Sequence, residues 1–187
     1  MKLNKKIVWV ERIANALELA GIIMVLVLAL LFQFWLRELP CPLCILQRIG
    51  FLGIAFGFLL NLRFGFRPSH YSIVLISALF TSFVALRQVC LHVLPNTGAY
   101  GSAIFGLHLY TWSFIVAMLV VISSAILLGV DEQYLTAVKK STKWHQTVHV
   151  LFVVMVFVIA ANIISVLLEC GLHACPDNPV SYALVIR

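Results

Sequence analysis

Two cysteines that are separated by two residues, Cys41 and Cys44, are the side chains of this chain best suited to chemistry. A CxxC pair stores two electrons as a dithiol and releases them when it forms a disulfide. Pro42 stiffens the turn between the sulfurs, and Arg48 lies one helical turn beyond Cys44. A helix N-terminus and a permanently charged guanidinium both favour a thiolate. The pattern predicts a redox-active pair, with a structural disulfide or half of a zinc site as the alternatives.

A second pair, Cys170 and Cys175, lies close to the C-terminal end of the sequence. Gly171 and Pro176 are suited to a turn, and the short separation lets the two sulfurs close a small ring. Because small rings restrict the unfolded chain only modestly, stabilisation alone is a weak explanation for the pair. We therefore expect a reducible disulfide that exchanges with a soluble partner, and a structural clip remains the alternative.

The elements that position these cysteines are membrane helices. Hydrophobic residues make up 63% of the 187 residues and charged residues 11%, whereas soluble domains carry about 25% charged residues. Backbone groups in hydrocarbon must be satisfied within each segment, so each span is helical. The apolar runs predict a single membrane domain over residues 1–187, with an external tail at 169–187 and spans at about 14–36, 45–62, 71–94, 107–130 and 147–168.

The distribution of basic residues predicts the orientation of the spans. Nine of the 13 lysines and arginines fall on the N-terminal side of the predicted bundle and four on the other side, and the richer side is expected to be cytoplasmic. The net charge of +6 is therefore a topology signal rather than a nucleic-acid footprint. The N-terminus is predicted to be cytoplasmic and the C-terminus external, which places all five cysteines on or near the external face.

Polar residues interrupt the external end of the third predicted span. Arg87, Gln88 and His92 lie on successive turns there, and polar groups inside spans are costly and often functional. Arg87 and Arg48 are expected to approach the external interface, and His92 is either an interfacial residue or part of the site. Cys90 is expected to be a passive small hydrophobe.

The run Cys41-Pro-Leu-Cys44-Ile-Leu-Gln-Arg48 after a first span resembles the DsbB family of disulfide bond formation proteins, and the resemblance covers roughly residues 10–130. It implies that Cys44 interacts with a membrane quinone, ubiquinone or menaquinone, and that Cys41 is its resolving partner. It also implies that Arg48 and, more loosely, His92 contribute to the quinone site. The expected function is reoxidation of a periplasmic, thioredoxin-fold, DsbA-like thiol oxidase by an inner-membrane oxidoreductase.

One departure from the family pattern affects the expected fold. Family members usually carry the second cysteine pair between spans three and four, but residues 95–106 contain no cysteine here. The pair has moved behind a fifth span, so we expect an all-α membrane protein with a four-helix DsbB-like core and one extra C-terminal span. The expected catalytic residues are Cys41, Cys44, Cys170 and Cys175.

Three other functions compete with this interpretation. A metal-binding or structural membrane module would use the cysteines with His92 and His173, although the second pair lacks CxxC spacing and we predict no metal site. A conduit that imports reducing electrons would need a cysteine on the cytoplasmic side, and none is predicted there. A vitamin K epoxide reductase-like enzyme normally carries its CxxC late in the bundle, whereas here it comes early.

Overall fold

The computed structural model describes residues 2–93, 101–135 and 142–173 and, in the tail, residues 175–176, 179 and 181–184. The predicted connections 95–106 and 131–146 and the predicted tail therefore lie partly outside the described residues. In chain order the elements are α1 Lys2–Trp35, α2 Pro42–Phe64, α3 Pro68–His92, β1 Ala103–Ile104, β2 Leu107–His108, α4 Leu109–Leu128, α5 Glu132–Leu135 and α6 Thr142–Cys170.

Five helices of the described chain, α1, α2, α3, α4 and α6, are long and apolar enough to cross a membrane. The prediction of an all-α membrane bundle is confirmed. Large apolar side chains such as Phe83, Ile126 and Phe157 are exposed along these helices, as expected of surfaces that face lipid. The short antiparallel hairpin of β1 and β2 was not predicted, and its second strand occupies the start of the predicted fourth span.

The start of α2 places the CxxC pair at a helix N-terminus. Pro42 occupies the first helical turn, where a missing backbone N–H costs nothing and the fixed φ angle suits a helix. Cys41 is the N-cap residue, and its sulfur accepts a hydrogen bond of 3.1 Å from the backbone N–H of Cys44. Helix α2 therefore begins three residues before the predicted span at 45, and Cys44 lies inside its first turn.

Helix α2 is the centre of the bundle and packs closely against α3. A Cβ atom added at Gly50 would lie 2.0 Å from Oγ1 of Thr81, and one added at Gly57 would lie 2.5 Å from Cγ2 of Val74 and 3.0 Å from the carbonyl oxygen of His70. Small residues let membrane helices approach at backbone distance. The glycines thus fix the separation of α2 and α3, which carry the two sulfurs and Gln88.

The remaining helices surround this pair. Helix α1 packs on α2, α4 packs on α3, and α6 lies against both α1 and α2. The apolar core between them is formed by side chains of several helices, among them Leu19, Leu26, Phe51, Phe58, Val74 and Met155. Consequently the ends of α1, α3 and α6 meet the start of α2 at one end of the bundle.

A buried group of neutral polar side chains, the Asn61 cluster, occupies the other end of the bundle. It consists of Asn15, Asn61, His70, Tyr71 and Gln133. The amide of Asn61 donates to Asn15 Oδ1 at 3.0 Å and its Oδ1 contacts His70 Nδ1 at 3.1 Å. Asn15 donates to the hydroxyl of Tyr71 at 2.8 Å, and that hydroxyl donates to Gln133 Oε1 at 3.1 Å. The cluster ties α1, α2, α3 and α5 together.

Candidate redox site

The two sulfurs of the CxxC pair are free thiols at the start of α2. Cys41 is buried and Cys44 is half-buried. The hydrogen bond between the Cys41 and Cys44 side chains, together with burial, raises the pKa of the Cys41 thiol well above its ordinary range. The first-turn backbone N–H groups of α2 favour negative charge at Cys44. The pair is therefore asymmetric, with Cys41 as the sulfur that keeps its proton.

Gln88 of α3 holds both sulfurs from the opposite side. Its Nε2 lies 3.3 Å from Sγ of Cys41 and 3.5 Å from Sγ of Cys44. The amide is oriented by Gln47, whose Nε2 donates to Gln88 Oε1 at 2.7 Å. An amide N–H aimed at a sulfur stabilises the thiolate form. Gln88 was noted in the sequence only as a polar residue inside a span, and the structure shows what it contacts.

Arg48 is buried one turn beyond Cys44, with 8% of its surface exposed. Its Nη1 donates to Gln33 Oε1 at 2.7 Å and its Nη2 donates to the carbonyl oxygen of Ala29 at 3.0 Å, so α1 holds the guanidinium in place. The guanidinium also interacts electrostatically with Cys44. The predicted neighbourhood of Arg48 and Cys44 is therefore present, although Arg48 lies in the bundle rather than at its rim.

Helix α6 completes the surroundings of Arg48. Ser165 donates to the same Gln33 Oε1 at 2.7 Å, and Glu169 lies one turn further along the same face of α6. Glu169 interacts electrostatically with both Arg48 and Cys44. The sequence reasoning assigned no role to Gln33, Ser165 or Glu169. Polar side chains inside or at the end of apolar spans were the signal that could have identified them.

The second cysteine pair forms a disulfide at the end of α6. Cys170 is buried and Cys175 is half-buried, so the two sulfurs differ in access. The tail returns over this end of the helix, where the backbone N–H of Ala183 donates to the carbonyl oxygen of Glu169 at 3.1 Å. Tyr182 stacks on Phe34 of α1 with ring centroids 6.5 Å apart. The tail disulfide is thereby held at the same end of the bundle as the CxxC pair.

The other candidates on α3 lie apart from the sulfurs. The ring of His92 stacks on Tyr110 with centroids 5.5 Å apart, and it is Tyr110 that lines the cavity beside Cys44. Arg87 and Cys90 are exposed on the outer surface of α3. Three polar residues were singled out near the end of the third predicted span. In the described part of the chain, Gln88 is the one of these three whose side chain is seen to contact the CxxC sulfurs.

A cavity of about 90 Å³ opens beside Cys44, Gln47 and Arg48. An apolar groove of about 300 Å³ lies next to it, between α1, the hairpin and α4. The two share wall residues of α1 and α4, namely Val25, Ala29, Phe32, Leu109 and Ser113. The site therefore offers a polar wall at one end and a long apolar surface at the other.

Comparison with known proteins agrees with this geometry. A family model described as Disulfide bond formation protein DsbB matches residues 11–102. Over that region the chain belongs to the DsbB family. The protein is accordingly a multi-pass membrane oxidoreductase of disulfide bond formation, from a quinone-linked family with redox-active cysteines. The match includes α1, α2 and α3, whereas α4 and α6 lie outside it. The comparisons with curated proteins and with solved structures gave no match.

Proposed function

We propose that this DsbB-family protein oxidises a periplasmic, thioredoxin-fold, DsbA-like dithiol protein and passes the two electrons to a membrane quinone, ubiquinone or menaquinone. The observation that carries the proposal is the cavity lined by both Cys44 and Arg48, which shares wall residues with an adjacent apolar groove. A redox-active sulfur beside a cation and a lipid-compatible groove is what an electron transfer from thiols to a quinone requires.

The lining of the site fits a quinone. A quinone ring presents carbonyl oxygens that accept hydrogen bonds, and the guanidinium of Arg48 has five N–H donors, two of whose partners are on α1. The isoprenoid tail needs apolar walls, which Leu28, Phe105 and Trp112 of the groove supply. When bound, the quinone supplies the oxidising power. The residues of this chain position it and hold the Cys44 thiolate.

The tail disulfide is the proposed entry point for electrons. A partner thiolate attacks Sγ of Cys175, which is the more accessible of the two sulfurs, forms a mixed disulfide and expels Cys170 as a thiolate. A second partner thiolate then releases the partner as a disulfide. The partner has lost two electrons, and the pair of Cys170 and Cys175 has gained them.

Transfer to the CxxC pair completes the relay. The Cys170 thiolate attacks the oxidised CxxC pair at Cys41 and expels Cys44 as a thiolate. Cys175 then attacks Cys170, which closes the tail disulfide again and frees Cys41 as a thiol. The net result is exchange of one disulfide for another, with the electron pair now on Cys41 and Cys44 beside the cavity. His92 would support the site indirectly, through its stacking on Tyr110.

The proposed location is the bacterial inner membrane, with the N-terminus in the cytoplasm and the C-terminus in the periplasm. The positive-inside rule supports it, since Arg12, Arg63 and Arg67 lie towards the end of the bundle opposite the cysteines. Periplasmic conditions also allow disulfides to form and persist. A structural or metal-binding module is less well supported, because no group of three metal-ligating side chains comes together within the described residues.

Quinone reduction by purified protein tests the proposal directly. With a reduced DsbA-like protein and a short-chain quinone, the wild-type chain should form quinol, followed by absorbance. Cys44→Ser should reduce this rate to that of the uncatalysed reaction, because the sulfur beside the cavity is lost. Cys90→Ser, on the outer face of α3, is the matched control and should retain the wild-type rate. Normal turnover by Cys44→Ser would refute the assignment.

Trapping the partner tests the entry point. In Cys170→Ser, the remaining Cys175 thiolate should attack the disulfide of the oxidised DsbA-like protein, expel one of its thiolates and hold it as a mixed disulfide that is visible on a non-reducing gel. Cys175→Ser leaves only the buried Cys170 and should capture several-fold less. Equal capture by both variants would show that access does not decide which sulfur is attacked. Capture by neither would show that the tail pair is a structural clip.

A further inference from the structure

Glu169 is a buried carboxyl group that the proposed relay does not use. It lies in the last turn of α6 with 1% of its surface exposed. Among the described residues, neither of its side-chain oxygens has a hydrogen-bond partner. A buried carboxylate without hydrogen bonds is costly unless a charge compensates it or a proton neutralises it. The state of Glu169 therefore depends on the charges that face it.

Two charged groups face Glu169, and both Arg48 and Cys44 come from α2. The guanidinium of Arg48 is faced in addition by Cys41 and by Tyr182 of the tail. Gln33 links the two sides, because its Oε1 accepts from both Arg48 and Ser165. The site thus contains one permanent cation, and Cys44 and Glu169 are the two acids around it that also interact with each other. If both acids were ionised the site would carry a net negative charge, so a single proton shared by them keeps it neutral.

Hydrogen bonding decides which acid holds that proton while the CxxC pair is reduced. The Cys44 sulfur has Gln88 Nε2 at 3.5 Å and lies at the N-terminus of α2, whereas no donor of the described residues reaches the Glu169 oxygens. Donors favour the ionised form of the group they contact. Cys44 is then the anion and Glu169 the neutral acid. When Cys44 enters a disulfide it carries no charge, and Arg48 needs Glu169 as its counter-ion.

We propose that Glu169 holds a proton while the CxxC pair is reduced and releases it as the pair is oxidised, so that Arg48 always faces one anion. This inference rests on the proposed function and adds the source of a proton to it. Oxidation removes two electrons from the Cys41 thiol and the Cys44 thiolate and forms the bond between their sulfurs. The Cys41 thiol and the Glu169 carboxyl group each release one proton. Together these electrons and protons convert a quinone into a quinol, and the protein keeps the same charge.

Infrared difference spectroscopy tests the proposal without quinone or partner. Quinone-free protein in lipid nanodiscs is measured oxidised and then after reduction with a small dithiol. Reduction should produce the carbonyl band of one protonated carboxyl group, and ¹³C-glutamate labelling should move that band. The band should be lost in Glu169→Gln and in Cys41→Ala, which cannot form the CxxC disulfide. It should persist in Asp131→Asn, which removes an exposed carboxyl group near α5.

Two results would overturn the proposal: no such band in the wild-type protein, or a band that survives in Glu169→Gln. Glu169→Asp provides the test if Glu169→Gln does not fold. This variant keeps a carboxyl group, but the carbonyl band then comes from an aspartate and should not move with ¹³C-glutamate labelling. Reduction of the tail disulfide is accounted for by Cys41→Ala, in which only that disulfide cycles. A protein that shows the band but never reduces quinone would retain this inference and lose the proposed function. A protein that reduces quinone but never shows the band would retain the proposed function and lose this inference.

Discussion

The two buried polar regions of the bundle differ in how completely their hydrogen bonds are satisfied. In the Asn61 cluster each of the five members has a partner within hydrogen-bond distance. The buried carboxyl group of Glu11 interacts electrostatically with Tyr71 and borders the cluster. At the other end, the Arg48 site contains a cation, two thiols and an acid, and within the described parts of the chain neither oxygen of Glu169 has a hydrogen-bond partner. Both regions are buried and both include residues of α1 and α2, so burial alone does not distinguish them.

The difference indicates two uses of polarity in a membrane protein. A network of uncharged groups that bond to one another fixes the positions of the helices. A charged site with an unsatisfied acid costs stability, and it can change its protonation when a neighbouring sulfur changes charge. We therefore expect substitutions at the two ends to have opposite consequences for activity and stability.

Arg48 is where the largest effect is expected. Arg48→Met removes the only cation facing Cys44 and Glu169 among the described residues and leaves Gln33 Oε1 with Ser165 alone. We expect quinol formation to fall by about 100-fold, the size of effect seen when a preorganised electrostatic donor is removed from an active site. Methionine keeps much of the side-chain volume, so the helices should remain packed. The measurement is the rate of quinol formation at saturating quinone and reduced partner.

Arg48→Lys sharpens this test, because it retains the charge but not the two bonds to α1. An intermediate rate would show that both the charge and its orientation matter. A wild-type rate for Arg48→Met would remove the distinction between the two ends of the bundle, since the charged site would then be no more functional than the neutral one.

The part of the site that lies within a short stretch of sequence could be predicted. Cys41, Cys44 and Arg48 fall within the first two turns of α2, so the helical period alone fixes their relation once the helix start is known. The five spans followed from apolar length and the absence of charge. The first three residues of α2 were missed because the predicted span relied on hydropathy and not on Pro42, which is favoured at a first helical position.

Contacts between distant segments could not be predicted in the same way. Gln33 and Ser165 are 132 residues apart in sequence, and their hydrogen bond depends on how α6 packs against α1. A span pattern indicates which residues are polar but not which helix each one faces. Glu169 was visible as a carboxyl group next to Cys170, yet its relation to Arg48 requires the packing of α6 against α2, outside the region that matches the family.

The Asn61 cluster is where the smaller effect on activity is expected, and this substitution completes the comparison. Asn61→Leu removes the acceptor for His70 and for the backbone N–H of Arg67, and the donor to Asn15. Leaving such groups unpaired costs about 1–2 kcal/mol, because hydrogen bonds inside membrane bundles have modest net values. The midpoint of thermal unfolding in detergent should therefore fall, while the folded protein keeps its rate of quinol formation within about twofold. Arg48→Met should show the converse, with a lost rate and a nearly unchanged midpoint. If Asn61→Leu slowed the reaction as much as Arg48→Met without unfolding the protein, the neutral cluster would have to be coupled to the redox site through α2, and its satisfied hydrogen bonds would not mark it as purely structural.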